Sequence, residues 1–432
     1  MKPLKAIIIG AGDRGTIYAR FMSQMKDKFQ VVGVADPQKA HRDRVKELCN
    51  LPEDACYDSW QTILAQPRMA DVAVIATMDQ DHYAPAMKAI SLGYHLLLEK
   101  PAAPTVQECA DIVHAAANKG VSVLVCHVLR YTPFYGRIKR LLDSDVIGKI
   151  MSVIAVEAVG NVHQSHSFIR GNWHSEAKST PMLLQKSCHD MDILQWLIGK
   201  PCKKIQSFGA LTHFRPENAP NGAPKRCADG NCPIADTCPY NCIKLYYDDK
   251  ENDWFRGAAT NGISAAPKPT DAEVLQALKT TDYGLCVFHA NNDVVDHQVV
   301  NMEFADDVTV SFSMNAFNAG GRYIRIFGTK GELYANMSDS EITLYTFADK
   351  NRFTVPVNAE ESELSGHGGG DEGIVSELYD YLNGNYTGYR AADIATSVKN
   401  HLLCFAAEAS RHQSTVVDLD DYFSQYNIPN KY

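Results

Sequence analysis

Three glycines near the beginning of the chain, in the stretch Gly10-Ala11-Gly12-Asp13-Arg14-Gly15, constrain the fold more than any other feature of the sequence. They follow the apolar run of residues 4–9, which predicts a buried strand, and they precede a helical pattern that includes Tyr18 and Phe21. A glycine loop between a strand and a helix allows a tight turn and lets backbone amides approach a pyrophosphate. The sequence therefore predicts a dinucleotide-binding sheet that begins at this strand.

Asp36 stands at the end of the second predicted strand. An acid at that place accepts hydrogen bonds from the adenosine ribose diol and repels a 2′-phosphate, so NAD is favoured over NADP. The predicted cofactor-binding set contains the three glycines, Asp13, Arg14 and Asp36. Because Arg14, Arg42 and Arg44 are also able to hold a phosphate, NADP stays an open alternative.

Strands and helices alternate through the first part of the chain. Strand-like runs at 31–35, 72–76, 95–98 and 121–126 are separated by helical patterns at 37–49, 81–92 and 105–118. This alternation predicts a doubly wound parallel sheet and a Rossmann domain over residues 1–130. Thr77 and His82 follow the strand at 72–76, and we expect both to lie near the cofactor, with a surface helix cap as the alternative for His82.

The tripeptide Glu99-Lys100-Pro101 follows the strand at 95–98. Such sheets bind ligands at the carboxyl ends of their strands, and a proline disfavours helical backbone in the residue before it. Lys100 is therefore predicted to point out of the sheet edge beside a nicotinamide, where it can hydrogen-bond a substrate hydroxyl and take its proton. Glu99 is included in the cofactor-binding set, and the alternative is an exposed lysine paired with Glu99.

Residues 131–432 are predicted to form a second, α+β domain for substrate binding and oligomerisation. Alternating runs predict a large, open, mainly antiparallel sheet flanked by helices on one face, and the turn pairs Asp306-Asp307 and Gly320-Gly321 predict hairpins. The polar stretch 214–270 predicts an insertion. The strand-like runs lie at 150–159, 294–304, 308–317, 323–327 and 332–336, and the helical patterns at 188–198 and about 371–411.

The glycine loop, the strand-end acid, the Glu-Lys-Pro tripeptide and a histidine helix at 183–199 together resemble the glucose–fructose oxidoreductase, inositol dehydrogenase and MocA family. The resemblance implies a Rossmann domain, an open antiparallel sheet domain, and NAD-dependent hydride transfer at a sugar or polyol carbon. His189 matches the family histidine, which implies that it is a general acid/base paired with Lys100.

Gln185 stands where that family has an aspartate. A glutamine can position a hydroxyl but cannot take a proton, so the acid–base work would fall on Lys100 and His189, with Lys186 beside the substrate. If Gln185 instead marks lost catalysis, the protein is an NAD-binding sensor. The structural alternative for His189 is a helix-start histidine capped by Asp192.

Arg130 follows the strand at 121–126 and matches an arginine that the family places near the nicotinamide ribose and substrate. Contact with the cofactor or substrate is one interpretation of Arg130. A structural pin between the two domains is the other, and both stay open.

The segment Gly366-His367-Gly368-Gly369-Gly370-Asp371 resembles the Gly-His-Gly-Gly run of NAD-dependent α-N-acetylgalactosaminidases. This resemblance implies an alternative function, a glycosidase or lyase whose tightly bound NAD is reduced and reoxidised in each cycle. His367 is then a candidate to close over a substrate. His297, at the start of a central antiparallel strand, is a further candidate substrate residue.

Four cysteines, Cys227, Cys232, Cys238 and Cys242, lie inside the polar insertion. Four thiolates this close in sequence are able to hold a structural zinc ion or an iron–sulfur cluster. Their spacings match neither the usual zinc pairs nor the ferredoxin runs, so free thiols or labile disulfides are the alternative.

The net charge of −9 and the lack of a basic block argue against a nucleic-acid partner. No run reaches the ~18 apolar residues of a membrane span, and the N-terminal apolar run is too short for a signal peptide, so we expect a cytoplasmic protein. The expected partners are a sugar or polyol and further copies of the chain, since an open sheet face normally needs cover and predicts a homodimer or homotetramer.

Overall fold

A computed structural model describes residues 2–261, 263–264, 268–339, 341–357, 367–386 and 390–431. Its first sheet is parallel, with six strands and five intervening helices. The strands are β1 (Leu4–Ile9), β2 (Phe29–Ala35), β3 (Cys56–Tyr57), β4 (Val72–Ile75), β5 (His95–Leu98) and β6 (Val123–Val125). The helices are α1 (Asp13–Gln24), α2 (Lys39–Cys49), α3 (Trp60–Leu64), α4 (Tyr83–Ser91) and α5 (Val106–Lys119). The strand order is β3-β2-β1-β4-β5-β6, as the predicted doubly wound fold requires.

Both faces of this sheet are buried, which explains the unbroken apolar runs in its strands. In β1, Ile7 and Ile9 pack into one core, while Ala6 and Ile8 pack into the core on the opposite face. All four side chains are essentially inaccessible. The carboxyl ends of the strands therefore lie at one well-supported edge, where the glycine loop and the Glu-Lys-Pro turn both emerge.

The second sheet is mixed and has nine strands. They are β7 (Ile150–Ala158), β8 (Cys202–Ala210), β9 (His297–Phe304), β10 (Thr309–Asn315), β11 (Gly321–Gly328), β12 (Gly331–Asn336), β13 (Glu341–Thr346), β14 (Asn351–Pro356) and β15 (Val417–Asp418). Their order is β14-β13-β12-β11-β7-β10-β9-β8-β15. Strands β7 and β10 run parallel, and the other neighbours run antiparallel, which confirms the mainly antiparallel sheet.

One predicted hairpin forms and the other does not. Asp306-Asp307 joins β9 to β10, which pair antiparallel. The hairpin predicted at Gly320-Gly321 is wrong, because β7 lies between β10 and β11 and pairs with both. Strands β13 and β14, which the sequence did not predict, extend the sheet beyond β12.

The remaining helices of the described residues are α6 (Pro133–Asp143), α7 (Asn161–His163), α8 (Met182–Ile198), α9 (Asp253–Thr260), α10 (Asp271–Thr280), α11 (Gly370–Leu382), α12 (Ile394–Gln413) and α13 (Leu419–Ser424). Of these, α8, α12 and α13 pack against one face of the second sheet. Helices α9 and α10 lie in and just after the predicted insertion, of which residues 262 and 265–267 lie outside the described part.

Two helices depart from the sequence prediction. Helix α8 begins at Met182 rather than at 188, and it is buried on almost every side, so no polar face marks its first turns. Helix α11 belongs by sequence to the predicted second domain. Its Ile374, Val375 and Leu378 nevertheless pack in the core of the first sheet with Tyr18 and Phe29.

Candidate active site

The glycine loop has the shape of an anion cradle. A Cβ atom on Gly10, whose φ is +87°, would lie 2.4 Å from the carbonyl oxygen of Ala76, and one on Gly15 would lie 1.9 Å from that of Gly10. A Cβ on Gly12 would meet no atom within 4 Å. The protein's own packing therefore requires Gly10 and Gly15, whereas Gly12 faces open space at the N-terminus of α1, as a pyrophosphate site needs.

Asp36 is buried beside this loop. Its carboxylate accepts hydrogen bonds from the backbone amides of Ala11 at 2.7 Å and Gln38 at 2.8 Å, and His41 Nδ1 lies 3.2 Å away. Burial alone would raise the pKa of Asp36, but these hydrogen bonds hold it below its ordinary value. A carboxylate thus stands where an adenosine ribose would lie, and the residues present fit a dinucleotide.

Arg14 does not face the loop as a free cation. Its guanidinium contacts Glu99 at 2.6 Å and Asp371 at 2.6 Å, and it also hydrogen-bonds Tyr18. The predicted phosphate contact of Arg14 therefore finds no support, because two carboxylates already hold its guanidinium. Asp13, by contrast, is exposed in the first turn of α1, next to Gly12.

Glu99 is fixed on three sides. It accepts hydrogen bonds from Arg14, from the Tyr18 hydroxyl at 2.6 Å and from the backbone amide of Lys100 at 2.9 Å. Burial opposes ionisation, yet Arg14 and Lys100 hold the pKa of Glu99 below its usual range. Glu99 thus anchors the turn, and the alternative of a surface pair between the Glu99 and Lys100 side chains is not what the structure has.

Lys100 reaches from the first domain to the second. The Lys100–Pro101 peptide bond is cis. The Lys100 ammonium donates a hydrogen bond of 2.8 Å to the backbone carbonyl oxygen of Gln185 in α8. Lys100 and Gln185 therefore meet, and the contact uses the main chain of Gln185.

His189 follows Gln185 by one helical turn and lies buried beside the lysine. Burial and the nearby Lys100 charge hold the pKa of His189 well below its ordinary value, so the imidazole is neutral at pH 7. Within the described part of the chain, its Nδ1 has no hydrogen-bond partner. A neutral imidazole beside a lysine is suited to exchange a proton with a bound hydroxyl.

Two further histidine rings flank His189. The ring of His127 lies 5.8 Å from it and that of His367 lies 6.2 Å from it, measured between centroids. His367 also contacts Asp371 through Nδ1 at 3.2 Å, and its side chain is 42% exposed, so it borders solvent. The structure thus brings His367 to the predicted site, while Gly366 lies outside the described residues. Sequence reasoning missed Asp371 as a partner of both His367 and Arg14.

Thr77 and His82 lie at the same edge of the first sheet. His82 is buried, with Nδ1 at 2.6 Å from the Pro101 carbonyl oxygen and Nε2 at 3.0 Å from that of Thr77. The surface-cap alternative for His82 is therefore wrong. The ring bridges the end of β4 to the Glu-Lys-Pro turn and positions that turn.

Arg130 forms a buried, two-pronged ion pair with Asp192, at 2.7 Å and 2.6 Å. Asn400 of α12 donates to the same carboxylate. Asp192 therefore does not cap His189. The geometry favours the interpretation of Arg130 as a pin between the two domains over a cofactor contact, since both prongs of the guanidinium are engaged.

His297 is not brought to this site. Its neighbour Gln298 faces the helices, where it hydrogen-bonds Glu408 of α12 at 2.6 Å. Because side chains alternate along a strand, His297 projects from the opposite face of the sheet, where its Nδ1 contacts Asp296 at 2.7 Å. The predicted substrate role of His297 therefore finds no support.

The structure gives no support for a metal centre at the four insertion cysteines. Among the described residues, which include all four, no group of three or more His, Cys, Asp or Glu side chains is placed to hold a metal ion. All are free thiols, and the amide of Cys242 donates to the sulfur of Cys227 at 3.4 Å. The zinc and iron–sulfur hypotheses are thus unsupported. No helix in the described part of the chain is both long and apolar enough to cross a membrane.

A cavity of about 530 Å³ opens between β7, α7, α8 and β11. Lys186, Arg322, Asn161, His163 and Ser338 are among its lining residues. Lys186 directly follows Gln185 along α8. Sequence reasoning named Lys186 but missed Arg322, since no local pattern around it distinguishes it from a surface arginine of a strand.

Comparison with known proteins shows the family to which the chain belongs. The model of the Gfo/Idh/MocA oxidoreductase family for the NAD-binding Rossmann fold matches residues 4–127, and the model for the family's C-terminal alpha/beta domain matches residues 139–419. The protein therefore belongs to the Gfo/Idh/MocA family of oxidoreductases, with an NAD-binding Rossmann domain, as its residues predicted.

Individual relatives are distant. YteT of Bacillus subtilis is 24% identical over 400 residues, which are 86% of this chain and 88% of that protein. The inositol 2-dehydrogenase/D-chiro-inositol 3-dehydrogenase of Lactiplantibacillus plantarum is 23% identical over 216 residues, 50% of this chain and 58% of that protein.

Among solved structures, a levoglucosan dehydrogenase in complex with NADH and L-sorbose has a TM-score of 0.69 at 16% identity, covering 97% of this chain and 99% of that one. The WlbA dehydrogenase of Bordetella pertussis, in complex with NADH and UDP-GlcNAcA, has a TM-score of 0.66 at 15% identity, with the same coverage. Both likenesses establish the shared fold.

Proposed function

We propose that this protein is an NAD-dependent dehydrogenase that acts on a hydroxyl-bearing carbon of a sugar or polyol. The observation that carries the proposal is the meeting of Lys100 with Gln185, one helical turn before His189. It brings a lysine from the nicotinamide edge of the first sheet onto the helix that bears a neutral histidine. The inositol dehydrogenase and the NADH-bound sugar dehydrogenases among its relatives support the same class of substrate.

Bound NAD supplies the hydride acceptor. The Lys100 ammonium hydrogen-bonds the substrate hydroxyl and stabilises the negative charge that develops as the hydride leaves its carbon, and the neutral imidazole of His189 takes the hydroxyl proton. Glu99 and His82 hold the turn that carries the lysine. Gln185 positions the lysine through its carbonyl, so no carboxylate is needed at that place.

The structure fits NAD better than NADP. Asp36 is ionised and buried beside the glycine loop, and its negative charge opposes a 2′-phosphate. Arg14, the cation closest to the loop in sequence, is engaged by Glu99 and Asp371. We expect a preference for NAD that weakens in Asp36→Ser.

The test is an assay of purified protein with NAD and a panel of sugars, polyols and glycosides, following absorbance at 340 nm and glycoside cleavage together. Sustained formation of NADH supports the dehydrogenase. Tight NAD binding with no turnover of any compound would favour the sensor instead.

A second function is favoured by one observation, the approach of His367 to His189 with a centroid distance of 6.2 Å. A histidine at that place is able to protonate a leaving group, as redox-neutral cleavage of a glycoside requires. Cleavage without net NADH in the same assay would select this function. His367→Asn then stops cleavage, whereas a dehydrogenase tolerates the change better.

We also propose that the protein is a cytoplasmic homo-oligomer. Its twelve cysteines are free, as a reducing compartment allows. The sheet face away from the helices exposes Ile154, Phe208, Tyr323 and Tyr334, each at 41–54%. A second copy covering these side chains is the simplest way to bury them, and light scattering of the purified protein measures the number of copies.

A further inference from the structure

The cavity beside Lys100 has charged walls whose arrangement goes beyond what a neutral sugar needs. Lys186 of α8 contacts Glu157 of β7 at 3.4 Å. Arg322 of β11 contacts Glu157 at 2.6 Å and Asp190 of α8 at 2.9 Å. Two cations and two carboxylates thus form one connected cluster.

Lys186, Arg322 and Glu157 line the cavity, and the two cations are more exposed than the two carboxylates. The side chains of Lys186 and Arg322 are 17% and 14% exposed, whereas those of Glu157 and Asp190 are 3% and 7% exposed. Carboxylates in this position orient the cations and leave their outer donors available.

Several N–H donors of Lys186 and Arg322 have no hydrogen-bond partner among the described residues. Within the described part of the chain, the Lys186 ammonium makes an ion contact with Glu157 but no hydrogen bond, and Arg322 bonds Asp190 through Nε and weakly through Nη2, which leaves Nη1 unengaged. Formally, these two cations balance the two carboxylates. His163, in the same wall, adds no charge, since burial lowers its pKa to about 2.

The two cations also lie near the acid–base residues. Lys186 follows Gln185, whose carbonyl holds Lys100. Asp190, which holds Arg322, follows His189 directly along α8. Besides burial, the Lys100 charge helps to lower the pKa of Lys186, and the Arg322 charge helps to lower that of His189, so a group bound by the two cations lies near Lys100 and His189.

From this placement we propose that the substrate carries a carboxylate, as a uronate or an aldonate does, and that Lys186 and Arg322 bind it. This inference rests on the proposed dehydrogenase function and names its substrate class. A single carboxylate accepts hydrogen bonds from the ammonium and from the guanidinium at once.

The experiment measures the rate of NAD reduction with pairs of acidic and uncharged sugars. D-galacturonate is compared with its methyl ester and with D-galactose, and D-glucuronate is compared with D-glucose. It also measures binding of each compound to the NADH complex by titration calorimetry. The methyl ester matches the acid in size without its charge. We expect the acid to exceed its ester by tenfold or more in kcat/KM and in affinity.

Variants sharpen the test. Lys186→Gln is expected to lower the acid-to-ester ratio tenfold or more, and Arg322→Lys to lower it to a smaller extent while keeping a cation for the buried carboxylates. Glu157→Gln removes a competing carboxylate and should shift the ratio the opposite way. Arg325→Gln, on the same strand but paired with Glu332 in solvent, is the matched control.

The outcomes separate this inference from the function beneath it. Equal turnover of acid, ester and neutral sugar overturns the carboxylate site and leaves the dehydrogenase standing. If an acidic sugar binds in a way that depends on Lys186 but no sugar yields NADH, the carboxylate site is supported. The proposed dehydrogenase function is then overturned. Binding of galactose 6-phosphate in clear preference to every acid, or no binding of any acid, also overturns the carboxylate assignment.

Discussion

The ammonium of Lys100 lies 2.8 Å from the backbone carbonyl oxygen of Gln185, and this contact joins the edge of the parallel sheet to the helix that carries His189. A main-chain partner has a consequence for catalysis. The carbonyl oxygen can orient the lysine but cannot take its proton, so proton transfer depends on Lys100 itself and on the neutral imidazole of His189.

We expect Lys100→Ala to lower kcat by about 10³-fold, within the range of 10²–10⁴ that a positioned acid–base group contributes. Binding of NAD, measured by fluorescence titration, should change little, because Asp36 and the glycine loop are untouched. Lys119→Ala, at the exposed end of α5, is the control and should keep the full rate. An unchanged kcat in Lys100→Ala would falsify the mechanism.

The glycine loop predicts opposite outcomes for two alanine substitutions. A Cβ on Gly15 would lie 1.9 Å from the Gly10 carbonyl oxygen, so Gly15→Ala should destabilise the protein by about 1–3 kcal/mol or more. Gly12→Ala meets no atom within 4 Å, so its stability should stay within about 1 kcal/mol. Its new methyl group enters the space for the pyrophosphate, and NAD should bind at least tenfold more weakly, about 1.4 kcal/mol.

Urea denaturation and NAD titration of both variants check this prediction. Loss of stability in Gly12→Ala, or unimpaired NAD binding in the folded variant, would show that the pyrophosphate lies elsewhere.

The buried pair of Arg130 and Asp192 predicts a non-additive result. Arg130→Met leaves Asp192 and its partner Asn400 with an uncompensated buried charge, and should cost about 3–5 kcal/mol in the free energy of unfolding. The double variant Arg130→Met/Asp192→Leu should recover much of that loss, because an apolar pair of similar volume replaces both charges. If Arg130 contacted the cofactor instead, Arg130→Met would raise KM for NAD and leave unfolding unchanged.

The sequence predicted the parts of the site that are encoded locally. The glycine loop, Asp36 and the Glu99-Lys100-Pro101 turn each stand next to a strand whose apolar run is visible, and parallel strands end at one edge. Because these strands run parallel in one sheet, the sequence also predicted that the three features lie along the same edge. His189 was predicted from its resemblance to a family motif, and its place beside Lys100 follows from the packing of α8 against the first domain.

Contacts between distant parts of the chain could not be predicted in this way. Asp371 meets Arg14 because α11 returns to the first sheet, and no pattern around either residue encodes that return. Arg322 meets Glu157 because β11 pairs with β7 rather than with β10, contrary to the predicted hairpin. Both contacts depend on strand order and helix docking, which alternating hydrophobicity alone does not specify.

Buried histidines predict how stability depends on pH. Burial lowers the pKa of both His166 and His401 to about 3, so each is neutral in the folded state and becomes charged more readily on unfolding. The stability that each contributes is complete above about pH 7, where the unfolded imidazole is also neutral, and is lost as pH falls below the unfolded pKa of about 6.5. At pH 5.5 the loss is about 1.4 kcal/mol for each histidine.

Two groups have the opposite effect on stability between pH 8 and 5.5. Asp36 raises the pKa of His41, and burial raises that of Asp190 to about 6, so both bind protons more readily when folded. His166→Phe isolates one contribution, because its ring is surrounded by the aromatic side chains of Tyr246, Phe255 and Tyr283. Urea denaturation at pH 8 and 5.5 should show that the drop in unfolding free energy between these values is about 1.4 kcal/mol smaller in His166→Phe than in the natural protein. The exposed His114→Gln serves as control and should leave the drop unchanged, and equal drops in all three proteins would mean that His166 is charged in the folded state.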